Sequence, residues 1–223
     1  CERPVDDDLC AFSFLTVATH AIQRAQYAGH MTELVARTIS ILGHPLVVMP
    51  VAVLALMVLQ GDGRHAGWAL TGLALLGTLI MMFSRHQVRR GRWQHVDASG
   101  KQERSSLNRF LLVLLVIATL ACLLGGASLP LTLGLGLSAA MLVVAMATAR
   151  WCKLSLHLAF ATFAALLLAS LSWWVGMAGL LFAAVVAWSR LHLQRHVPRD
   201  LVAGVCTGLL AGLAFLHFTG RLG

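Results

Sequence analysis

No part of this chain constrains its fold more than residues 110–149, FLLVLLVIATLACLLGGASLPLTLGLGLSAAMLVVAMATA, which contain no charged side chain. A helix that is apolar all round is either sealed inside protein or immersed in lipid. Crossing a bilayer takes about 20 such residues, within a range of about 17–25. Residues 110–149 are long enough for two crossings, with a break near GGASLP. Further apolar runs cover 43–60, 66–83, 158–188 and 200–218. The run 158–188 contains SWWVG near its middle. It is read as a hairpin of two short helices with interfacial tryptophans at the turn, in preference to one long tilted helix. The expectation is an all-α, polytopic transmembrane helical bundle of six or seven spans, seven on the hairpin reading. Composition agrees: 58% of residues are hydrophobic and 12% charged, against roughly 45–50% and about 25% in soluble domains.

Residues 1–42 are mixed in character. Asp6, Asp7 and Asp8 precede apolar residues at roughly helical spacing, with Arg24, Glu33 and Arg37 among them. This segment is expected to form an interfacial or bundle-packing amphipathic helix, ahead of a transmembrane domain at 43–223. Localisation follows as an integral membrane protein, expected in a bacterial cytoplasmic (inner) membrane.

Three polar loops, 84–108, 150–157 and 189–199, interrupt the runs. With a hairpin at 158–188, two crossings separate each loop from the next, so all three share one membrane face. That face and the N-terminal segment carry all of the 17 Lys and Arg residues except Arg64 and Arg221. The positive-inside rule makes such a face cytoplasmic. If the arginines serve a substrate, the rule loses its force and either face stays open.

The formal net charge is +8. With little soluble surface for a basic groove, nucleic acid is not an expected partner. Membrane lipids and a phosphate-bearing substrate are. The cysteines show no CxxC or finger-like spacing, so no disulfide, structural zinc or other cofactor is expected. Oligomeric state is not legible.

The third loop, WSRLHLQRHVPRDLVAG, has an internal register: Ser189-Arg190, then His196, then Asp200. His196 and Asp200 are spaced to share one face of a helical turn. A carboxylate accepting from one imidazole nitrogen leaves the other free as nucleophile or base. Arg190 is suited to hold a tetrahedral anion beside it. The second loop, KLSLHLAF, sets Ser155 and His157 at the start of an apolar helix, where backbone N–H groups favour an anion and a histidine can protonate a leaving group. The bland alternatives are a solvated basic loop and a helix-end histidine. His192 and His196 are also one turn apart, but no third metal ligand accompanies them.

The spacing Ser-Arg-x5-His-x3-Asp resembles the third signature of the type 2 phosphatidic acid phosphatase superfamily, shared with vanadium haloperoxidases. Ser155-x-His157 is similar to that family's second signature, Pro-Ser-Gly-His, with Leu154 in place of the proline and Leu156 in place of the glycine. The first signature, Lys-x6-Arg-Pro, has no counterpart here; Lys101 and Arg104 in KQER lie nearest to where its cations belong. The resemblance covers roughly residues 84–218. It implies a membrane phosphatase acting on a lipid or isoprenoid (pyro)phosphate without a metal. His196 would attack phosphorus, oriented by Asp200, and His157 would act as acid and then base. Arg190, Ser189, Ser155, Lys101 and Arg104 would bind the phosphate. His95 and Asp97 form an unassigned polar pair. Two competing readings are a non-catalytic, lipid-binding relative and a small transporter with the loops as gates.

Overall fold

The structure, a computed structural model, describes residues 30–59, 61, 63–94 and 100–220. The described residues form eight helices and no strand. These are α1 (His30–Leu42), α2 (Pro45–Leu59), α3 (Gly63–Arg89), α4 (Lys101–Leu124), α5 (Leu129–Thr148), α6 (Leu156–Ala169), α7 (Trp173–His192) and α8 (Pro198–Phe218). Residues 1–29, the pair His95 and Asp97, and the side chain of Lys101 lie outside the description.

Helices α3, α4, α5, α7 and α8 are each long and apolar enough to cross a membrane. The chain is an integral membrane protein. Each expected apolar run is helical, but the run 43–60 does not form a separate full crossing. As α2 it continues from α1 across a 54° bend at Gly43-His44, and the two together can make one broken span. The elbow has a local cause. Pro45 follows it immediately, and a proline disfavours helical backbone in the residue before it. The hairpin at 158–188 is present, turning at Ser170–Ser172 between α6 and α7. The first polar loop is shorter than expected: α3 runs on through Arg89 and α4 begins at Lys101. Glu103 explains the early start, since its carboxylate accepts the N–H groups of Gln94 and Gly100, both at 2.8 Å, as a residue in a helix's first turn can.

Helix α6 is the hub. Its 14 residues rise about 21 Å, short of the roughly 30 Å hydrocarbon core. Every residue from Leu158 to Leu167 is buried, with α2, α7 and α8 packed around it. Phe163 meets Phe215 of α8 edge to face, with ring centroids 6.3 Å apart. Small residues make this closeness possible. On α8, Gly204, Gly208 and Gly212 face α6: a Cβ at Gly208 would stand 2.4 Å from the Ala159 carbonyl, and one at Gly204 2.7 Å from that of Ser155. Gly176 and Gly179 of α7 approach Ala169 and Ala165 in the same way. Lipid tails are as apolar as leucine, so such seams draw their stability from close packing. This seam sets the start of α6 beside the start of α8.

Candidate active site

Ser155 is the N-cap of α6, and its N–H donates to the Asp200 carbonyl at 3.1 Å. The Asp200 side chain, 4% exposed, reaches back to the same loop. Its Oδ1 accepts from the Lys153 N–H at 3.2 Å and from the Cys152 thiol at 3.3 Å. The second and third loops are thereby stitched together by one carboxylate. Pro198 at the first turn of α8 presets the backbone there. Gln194, at φ 54°, turns the chain out of α7 through the left-handed region, with the Arg195 N–H bonded to the Arg190 carbonyl at 3.0 Å. A non-glycine residue there costs roughly 1–3 kcal/mol.

This framework fixes His196. Its Nδ1 lies 3.1 Å from the Lys153 carbonyl oxygen and 3.5 Å from Asp200 Oδ2. Both neighbours are acceptors, so the hydrogen-bond network assigns the ring proton to Nδ1 and leaves the Nε2 lone pair unoccupied. Burial, then the charges of Arg190 and Lys153, pull the His196 pKa down to about 4, against a smaller upward pull from Asp200. The imidazole is therefore neutral at pH 7.

Cations surround it. The Lys153 ammonium donates to the Arg195 carbonyl at 2.9 Å. Its pKa is lowered by burial and by Arg104, Arg190 and Arg195, with Asp200 acting in the opposite sense. Cations from the first and third loops thus act on the ammonium of the second, and Asp200 is the carboxylate set against them. Such an excess of positive charge, partly out of water, suits an anion. Two buried polar atoms here have no protein partner: Ser155 Oγ and Arg190 Nε. Ser155 is fully buried, and its hydroxyl does not close onto the first turn of α6 as an N-cap serine usually does.

The structure brings together Ser155, His157, Arg190, His196 and Asp200, with Arg104 near enough to act on Lys153. Lys101 and Arg104 are both in the first turn of α4. Ser189 is directed elsewhere. Its fully buried hydroxyl donates to the Ala36 carbonyl at 2.6 Å, bracing α1 against α7. Arg190 Nη1 donates to Ser40 Oγ, also at 2.6 Å. His192 stacks on Trp188, with centroids 5.3 Å apart.

Sequence reasoning overlooked the elbow between α1 and α2. The His44 ring stands edge to face with His157 at 5.0 Å, and its Nδ1 accepts the Leu46 N–H at 3.2 Å, so its proton resides on Nε2. Lys153 and Cys152 were also passed over, although both sit in the loop that holds Ser155. Compared with known proteins, the chain matches no family model, no curated protein and no solved structure.

Proposed function

We propose that the protein is a membrane phosphatase, resembling the type 2 phosphatidic acid phosphatases, that hydrolyses a lipid or isoprenoid phosphate or pyrophosphate through a phosphohistidine. The observation that carries this reading is His196. Its Nδ1 faces two acceptors while its Nε2 is free, next to partly buried cations and to the unpartnered Ser155 hydroxyl and Arg190 Nε.

In the first step, Nε2 of His196 attacks phosphorus and the bond to the substrate's bridging oxygen breaks. Burial and then the Arg190 charge hold the His157 pKa at about 2 in the free protein. Its ring therefore takes up a proton only as the phosphate's negative charge enters beside it, and it gives that proton to the departing oxygen. Asp200 and the Lys153 carbonyl stabilise the positive charge that develops on the His196 ring. In the second step a water attacks phosphorus, its proton passes to His157, and the P–N bond breaks to release phosphate and restore both imidazoles. Arg190, Ser155 and Lys153 offset charge on the phosphoryl oxygens, the main catalytic task in phosphoryl transfer. Arg104 acts from the edge of the cluster, and Lys101 is proposed beside it. The membrane is proposed to be a bacterial cytoplasmic one.

The test is phosphate release by purified protein in detergent from a panel of lipid phosphates, beside His196→Ala and His157→Ala. Release by wild type, abolished in both variants, with an acid-labile phosphoryl adduct that His196→Ala lacks, is the expected result. No release from any substrate by folded wild-type protein would reject the enzyme in favour of a non-catalytic lipid-binding protein.

A further inference from the structure

The elbow at His44 stands beside an apolar groove. Helices α2 and α5 both flank α6. Between them runs an apolar depression, with Pro45 and Leu46 at one end and Phe160 of α6 on its floor. A second depression continues from it, sharing Val53 and Leu131, and ends near Pro130 and Leu167. From Pro45 to Met57 the path covers about 18 Å along the α2 axis, at 1.5 Å per residue.

Three observations bear on what fills it. One end adjoins the candidate site, because Pro45 and Leu46 line it and directly follow His44, whose ring meets His157 edge to face. The first depression is lined by aliphatic side chains, Phe160 and two prolines, and its hydroxyl, that of Ser138, is satisfied by the Gly134 carbonyl at 2.7 Å. Room has been left in it: Gly77 of α3 and Gly134 of α5 line the groove, and a Cβ added to either would meet nothing within 4 Å. On its other flanks α6 is closed by the glycine seams with α7 and α8.

We infer that this groove holds the hydrocarbon chain of the substrate, and that the substrate is a single-chain lipid phosphate or pyrophosphate in preference to a two-chain glycerophospholipid. This rests on the proposed phosphatase reading for the headgroup. The phosphate lies at His157 and His196, and the chain leaves past His44 between α2 and α5. The groove adds affinity in proportion to the apolar area it covers.

Gly134→Leu tests it, since a Cβ there enters the groove with nothing within 4 Å and the rest of the side chain takes up groove space. Gly72→Leu, on α3 outside the groove lining and with its Cβ equally clear, controls for added bulk. Steady-state hydrolysis is measured with farnesyl phosphate, phosphatidic acid and the short, soluble phenyl phosphate. Gly134→Leu should raise KM for farnesyl phosphate at least about tenfold, the worth of a couple of buried methylenes. It should leave kcat/KM for phenyl phosphate within about twofold of wild type, and Gly72→Leu should change neither. Wild type should prefer farnesyl phosphate to phosphatidic acid. Equal effects of Gly134→Leu on farnesyl and phenyl phosphate, no effect on either, or a preference for phosphatidic acid would overturn the inference while leaving a His196-dependent phosphatase intact. If wild type hydrolyses nothing, equilibrium binding of farnesyl phosphate decides the groove alone. Binding that Gly134→Leu weakens supports it, and binding that Gly134→Leu leaves unchanged, or no binding, rejects it.

Discussion

Where α6 meets α8, glycines bring backbone against backbone and Asp200 ties two loops into one body. Where α3 meets α4, side chains do the joining. Phe83 stacks on Phe110 at 4.0 Å and meets Trp93 edge on, while Glu103 gathers the amides of Gln94 and Gly100. The first arrangement leaves the chain few ways to move. The second reaches the cluster through Arg104, whose charge is felt at Lys153. Side chains of the α6–α8 end can hold the geometry an attacking atom requires, within a few tenths of an ångström. The α3–α4 end is suited to supplying charge, which acts at longer range and tolerates displacement.

Asp200→Asn should break this contrast most sharply. An amide in place of the carboxylate presents a donor to His196 and disfavours the tautomer with Nε2 free. A fall in kcat of about 10³–10⁴ with the fold retained is expected, the size seen when a histidine's orienting aspartate is so changed. A loss under tenfold would show that the Lys153 carbonyl alone sets the tautomer.

The pH profile sharpens the same point. kcat/KM reports ionisations of the free enzyme. Since His196 must be neutral to attack and burial holds its pKa at about 4, activity should persist as pH falls through 6.5 and decline only near 4. The same depression makes acid costly to the fold. Between those two values the unfolded chain takes up a proton that the native one does not, so stability declines over that interval. An acid limb at the ordinary histidine value would mean that the His196 ring is solvated.

At the seam itself, Gly208→Leu places a side chain where a Cβ alone would stand 2.4 Å from the Ala159 carbonyl. A cost of about 1–3 kcal/mol or more in stability, read from the melting temperature, should accompany a loss of about 10² in kcat as Ser155 and His157 shift relative to Asp200. Arg104→Met probes the other half. KM should rise about tenfold, the worth of a charge-assisted contact, with kcat little changed and the difference shrinking in high salt. Smallest of all, Gly72→Ala on α3 meets no neighbour and should stabilise that helix by roughly 0.5–1 kcal/mol.

The spans were legible because lipid demands apolar residues on every side of a helix, and that demand is written locally. The residues His196 and Asp200 were legible for a related reason, since their spacing is a helical turn. The elbow was not. Ser40 and Arg190 lie 150 positions apart, and nothing periodic marks them as partners. His44 reads as one more histidine near a span end until α6 is placed against it. The roles of Lys153 depend partly on its carbonyl and amide, which every residue possesses. A signal was present for the seam: Gly204, Gly208 and Gly212 recur every fourth residue along α8, the spacing of close helix contact in membranes. The early start of α4 was also hidden, because Glu103 caps amides on both sides of a loop whose path the sequence does not encode.

The shortness of α6 has a consequence for traffic. A helix about 9 Å shorter than the hydrocarbon layer, walled in by its neighbours, cannot by itself reach both faces of that layer. The groove beside it is walled by α2 and α5, with Leu73, Leu76 and Gly77 of α3 and Leu111 and Leu115 of α4 along it. In the proposed reaction, water and departing phosphate would use the side of the polar loops and the greasy reactant the apolar groove. Two reagents that do not mix would then be delivered to one histidine from different sides, each excluded from the other's corridor by the chemistry of its walls.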